Sequence, residues 1–95
     1  MRDAHFEWHD AKAATNIRDH GVTFEEARLL FSDPLSFEEF DADLSNDEDR
    51  WNIVGMAGGR LLNVTYTQRG RRIRIISART ATRHEQDRYY RQANP

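Results

Sequence analysis

The chain has 95 residues, no cysteine, 32% charged and 38% hydrophobic residues, and a formal net charge of -2. That length excludes two ordinary domains but allows one core burying roughly two-thirds of the unfolded surface, so a single domain over residues 1–95 is expected. The missing cysteines exclude disulfides and thiolate chemistry, no apolar run approaches the roughly 20 residues of a bilayer span, and the opening MRDAHFEWHD lacks a signal-peptide core, which together point to a soluble cytoplasmic protein.

The first helix is expected to begin near Trp8 and Asp10, with Asp10 as its cap, Ala13 and Ile17 one turn apart on its inner face, and Gly21 as a left-handed stop. Thr23 opens a second helix in VTFEEARLLF: Thr23 and Glu26 have capping-box spacing, Val22 can staple onto Ala27, and Phe24, Ala27 and Phe31 form its inner stripe. Asp33-Pro34 ends it. LSFEEF then reads as a short strand and FDADLSNDED as an acidic loop. RWNIVGM, RLLNVTYT and RIRIISA are strands, joined by AGG and QRG, both short enough for antiparallel hairpins. Thr82 with Glu85 caps a last helix running towards Tyr90, and Pro95 falls in a loose tail.

At period two, Ile73 and Ile75 share one face of the last strand and Arg72 and Arg74 the other, while Leu62, Val64 and Tyr66 make a matching apolar row on the strand before it. The expected fold is α+β: a twisted, mostly antiparallel four-stranded sheet in the order α-α-β-β-β-β-α, with helices on one face and the arginine face left open.

Charge is unevenly placed. Residues 1–49 carry fourteen Asp and Glu against four Lys and Arg, for -10, and residues 50–95 carry ten Arg against Glu85 and Asp87, for +8. Thirteen of the fourteen cations are Arg, the side chain that forks onto phosphate through two parallel hydrogen bonds. The second half therefore suits an anionic partner, unless a general arginine bias in composition produced the excess.

The stretches FEWHDAKAATNIRDHGVTFEEARLLFSDP, DEDRW, LLNVTYTQRG and RIRIISARTATRHEQDRYY, in that order, cover most of the chain, and with them the sequence resembles the BrnT family of type II toxin-antitoxin toxins. Two positions depart from the family's usual pattern: His9 at the helix opening, and Asp19 before His20, which removes a cation from the RNA side. The resemblance implies a RelE-like ribonuclease fold and an endoribonuclease that cleaves RNA without a metal and inhibits translation. It also implies a cognate BrnA-like antitoxin with a ribbon-helix-helix DNA-binding domain, the two assembling as a heterotetramer. No cofactor or metal is expected; His5 and His9 have a zinc-like i, i+4 spacing, but they precede the expected helix.

Cleavage of this kind needs a base for the 2′-hydroxyl, an acid for the leaving oxygen, and cations for the phosphorane, and arginine supplies only the last. His20 is the candidate acid or base, with Lys12, Asn16 and His20 spaced i, i+4, i+8 on one helix stripe; alternatively, His20 only neutralises the helix end. Arg74 and Arg79, in the family's basic run, are the candidate phosphate-binding cations, and Lys12 joins them as a catalytic candidate or is a plain surface charge. Arg50, Arg69 and Tyr89 are candidate RNA contacts; their plainer readings are a loop ion pair of Arg50 with Glu48, a solvated turn, and core packing. Arg72, near the hairpin mouth, reads as a solvated charge or a single phosphate contact. Two other functions remain open on the same arginine face: a non-catalytic nucleic-acid binder and a module for an acidic protein partner.

Overall fold

In chain order the protein forms β1 (Phe6–Glu7), α1 (Asp10–His20), α2 (Phe24–Ala27) continuing as a 3-10 turn (Arg28–Ser32), β2 (Phe37–Phe40), β3 (Trp51–Ala57), β4 (Arg60–Arg69), β5 (Arg72–Thr80) and α3 (Arg83–Ala93). These come from a computed structural model that describes residues 1–43 and 47–94; residues 44–46 of the acidic loop, and Pro95, expected in the tail, lie outside the described residues.

The sheet runs β1-β5-β4-β3-β2. Both expected hairpins form, with Gly58 and Gly70 at φ of 64° and 60° in the two turns, a region open to glycine at little cost. The expectation of four strands is corrected to five: β1 adds a parallel edge to β5 through Phe6↔Ile73 and Glu7↔Arg74. Two residues show no periodicity, so only their distant partner defines them as a strand.

On one face of the sheet, Val22, Phe24, Ala27 and Leu30 are fully buried against Ile53, Leu62, Val64, Ile75 and Ala78. Thr23 caps α2 by accepting from the Glu26 N–H at 2.9 Å, but the Glu26 carboxylate turns away to Arg60, at 2.6 and 2.7 Å. Gly21 ends α1 in the left-handed region as expected, at φ 67°. The start of α1 differs: His9 is the cap residue, without a side-chain bond, and Asp10 is the first helical residue, its carboxylate accepting from the Met1 ammonium. The inner face of α1 is also rotated from expectation. Ile17 is 49% exposed, and Asn16, one residue earlier, is 5% exposed.

Asn16 is buried because it completes the sheet. Beyond Glu7 the outer edge of β5 has no partner strand among the described residues, and the Asn16 side chain takes its place: Oδ1 accepts from Ala78 N–H at 3.0 Å, while Nδ2 donates to Ala78 O at 2.8 Å and to Val22 O at 2.9 Å. A polar side chain is favourable in the core here because every hydrogen-bonding group it meets is satisfied.

The other face is not left open. A register shift between Thr65 and Tyr66 leaves Ile76 as an extra residue on β5, so Ile75 and Ala78 both point into the first core while Arg74, Ser77 and Arg79 share the second face. There α3 packs Tyr89 against Val54, Leu61 and Ala81. The full capping box, Thr82 with Glu85, fixes the start of α3, and the Tyr89 hydroxyl donates to Asp33 Oδ2 at 2.7 Å, tying the helix to the turn before β2. Helices therefore cover both faces, the second only in part.

Candidate functional site

The uncovered part of the second face is polar, and pairing register orders it. Ser77, Thr65, Asn52 and Glu39 form one row across the strands; Arg79, Asn63, Val54 and Phe37 form the next; Glu7, Arg74 and Thr67 lie on the far side of the first. Thr65 donates to Asn52 Oδ1 at 2.7 Å, and Asn52 Nδ2 donates to Asp41 at 2.8 Å, so the row is a fixed hydrogen-bonded surface. Where α3 rises from it a cleft of about 310 Å³ opens, with Asn52, Asn63, His84 and Glu85 along it and Glu39 and Arg88 at one end.

Glu85 organises this cleft. Its carboxylate accepts two parallel bonds from Arg79, at 2.9 and 3.1 Å, one from Asn63 Nδ2 at 2.6 Å, and one from the Thr82 N–H at 2.8 Å. Burial pushes the Glu85 carboxyl up, but the bonds from Arg79, Thr82 and Asn63 together outweigh it and bring it down to about 2. So low a value makes Glu85 a poor proton acceptor and a firm anchor for the guanidinium plane of Arg79, whose side chain stays 42% exposed.

The seven residues singled out in the sequence separate into four places. Arg79 reaches the cleft through its two bonds to Glu85, which lines it. Arg74 lies on the same face, bonded to Glu7 at 2.6 Å. Lys12 and His20 line another groove, between α1 and β5, with Ser77 on its wall. Arg69 and Arg50 gather around Glu48 by the acidic loop, at 3.2 and 3.9 Å. Tyr89 is in the core, 4% exposed, and burial followed by its bond to Asp33 pushes its hydroxyl up to about 12. Arg72, expected as a solvated charge or a phosphate contact, instead donates to the Asp3 carbonyl at 2.7 Å and holds down the N-terminal segment.

Sequence reasoning missed His84. It is exposed in the first turn of α3, beside Glu85 and at the cleft. The signal was present in the Thr82–Glu85 box, which places residue 84 on that turn a few residues after Arg79.

The divided charge also has a structural explanation. Glu26–Arg60, Glu7–Arg74, Glu39–Arg88 and Glu48–Arg69 each join an acid of the first half to an arginine of the second. Part of the acidic excess is thus the internal counter-charge of arginines on β4, β5 and α3. Among the described residues no group of three His, Asp or Glu converges as a metal cage, and no helix is long and apolar enough to cross a membrane.

Residues 8–85 match the family model described as "Ribonuclease toxin, BrnT, of type II toxin-antitoxin system". The chain belongs to the BrnT family. The matched span runs from the buried Trp8 to Glu85, so the Arg79–Glu85 fork, the groove of Lys12 and His20 and all of the cleft except Arg88 fall within BrnT sequence. BrnT membership makes the chain a ribonuclease toxin of the type II class, for which a protein antitoxin is the implied partner. No curated protein matches the chain.

Proposed function

We propose that this BrnT protein is a RelE-like endoribonuclease that cuts RNA without a metal across the polar sheet face, inhibits translation in the cytoplasm, and is silenced by an antitoxin covering that face. The observation that carries the proposal is the Arg79–Glu85 fork beside an exposed imidazole. Glu85 grips one edge of the guanidinium and leaves donors of an immobilised cation facing solvent, ready for a phosphoryl oxygen. Developing charge on a phosphorane is stabilised most by donors that need not reorganise. Proton transfer falls to imidazole, because arginine stays protonated and the Glu85 carboxyl is too acidic to accept a proton readily. His84 lies in the cleft itself; His20 lies in the neighbouring groove.

The partner reading follows from the resemblance: a BrnA-like antitoxin with a ribbon-helix-helix domain, in a heterotetramer in which specific DNA binding requires the antitoxin. Expression of the toxin alone should stop growth by stopping translation.

The direct test is RNA cleavage by Arg79→Lys and His84→Ala, with Arg71→Lys as control. Arg71 is exposed in the β4–β5 turn, whereas Arg72 is occupied with Asp3. Lysine keeps the charge of Arg79 and loses the fork, so its rate should fall about a hundredfold to a thousandfold while the melting temperature falls no further than in Glu85→Gln, and Arg71→Lys should cleave like wild type. Equal, small effects at 79 and 71 would reduce the arginines to a solvated surface, and salt-dependent RNA binding without product would return the non-catalytic binder.

A further inference from the structure

We infer that the groove between α1 and the free edge of β5 is a substrate subsite, holding the nucleotide of single-stranded RNA next to the one cleaved at Arg79; the inference rests on the ribonuclease reading above. The groove exists because β1 pairs with β5 only as far as Arg74 and Asn16 closes the edge again at Ala78. Between these points the bulged Ile76 and its neighbour Ser77 are left facing α1 across a space of about 320 Å³.

The groups lining this space fall into two sets. Asn16 is spent on the backbone, Thr15 donates to Ala11 O at 3.0 Å, and Asp19 is bonded to Arg18 at 3.2 Å. The Lys12 ammonium, the Ser77 hydroxyl and the His20 imidazole have no side-chain partner among the described residues. That separates Lys12 from Arg74, Arg79 and Arg88, each of which already carries a carboxylate. An RNA phosphate reaches Lys12 without displacing anything.

Continuity with the cleft comes through Ser77. It lines the groove and also stands in the row beside Thr65, two residues along β5 from Arg79, about 7 Å at the rise of an extended strand. That separation suits successive phosphates of an extended nucleic-acid strand. Along α1, Lys12 and His20 are eight residues or about 12 Å apart, room for one nucleotide lying lengthwise. Asp19 and the negative end of α1 disfavour a phosphate at the His20 end, so the phosphate belongs at Lys12 and the base against Ile76 and the His20 ring. A base held in a slot of this size must be unpaired, which makes the ligand single-stranded.

The test is steady-state cleavage of a single-stranded RNA oligonucleotide over a range of salt, using wild type, Lys12→Gln and, as charge control, Arg91→Gln at the far end of α3. Lys12→Gln should raise KM about fivefold with kcat within about twofold, and flatten the dependence of log kcat/KM on log salt by about 0.7, the value for one lost phosphate contact on a single strand. Arg91→Gln should keep the wild-type slope. Wild-type KM and slope in Lys12→Gln would overturn the subsite, and so would a fall in kcat alone, which would put Lys12 in the chemistry instead. If wild type itself cut no RNA, the ribonuclease reading would fail first; the same salt slopes measured by equilibrium RNA binding would then decide the groove, an unchanged slope for Lys12→Gln refuting it.

Discussion

Replacing Glu85 by Gln removes the charge that four hydrogen bonds converge on while nearly preserving shape. An ordinary glutamate titrates near 4.5 and Glu85 near 2, a difference of about 3 kcal/mol at 1.36 kcal/mol per pKa unit. Its side chain is 21% exposed, so solvent screens only part of this, and about 2–3 kcal/mol is the expected effect. The sign follows from the lowered value: the contribution is complete above pH 4.5 and is lost as pH falls from there towards 2. Urea unfolding at pH 7 and pH 2.5 should show wild type losing about 2 kcal/mol more than Glu85→Gln across that interval, most of the full effect, while the other carboxylates, common to both proteins, cancel. At pH 7 the variant should be less stable by a similar amount. Parallel pH profiles for the two proteins would refute the claim that Glu85 holds a charged fork in solution.

Asn16→Ala strips the edge of β5 and leaves the buried Ala78 N–H and C=O unpaired, so it should cost about 3 kcal/mol in urea unfolding; a loss under about 1 kcal/mol would mean water replaces the amide easily. Gly55→Ala places a methyl 2.9 Å from Ser36 Cβ, 3.1 Å from Leu30 Cγ and 3.2 Å from Asp33 Oδ2, and should destabilise by about 1–3 kcal/mol through overpacking, visible as a lowered melting temperature. Tyr89→Phe keeps the buried ring and loses the bond to Asp33, for about 1 kcal/mol, with RNA cleavage close to wild type if the residue only packs.

What was legible in the sequence was local. The Thr23 cap, the Thr82–Glu85 box, the Gly21 stop and both hairpin turns depend on residues within a few positions of each other, and all formed. The burial of Asn16 was not legible, since its partner is 62 residues away and a hydrophobic pattern gives a polar residue no weight. Nor was the second face, although Ile53-Val54 and Leu61-Leu62 are adjacent apolar pairs, which alternation alone cannot assign to one side; they mark strands covered on both. The site was half legible for the same reason. Arg79 stood out by type, whereas its fork to Glu85 and its nearness to His84 depend on how α3 folds back over the sheet.

The Asn16–Ala78 clasp also fixes when the protein can exist. Much of what the first third of the chain docks onto is made in the second half: Glu7 waits for Arg74, Asn16 for Ala78, Glu26 for Arg60. Contacts of such sequence separation cannot reward the loops they close until both ends are available. During vectorial synthesis the early segments therefore have only β3 and β4 to settle on until β5 has left the ribosome. A polypeptide released before Ala78 lacks both the clasp that closes the sheet and the arginine of the cleft, so an unfinished toxin is an unarmed one.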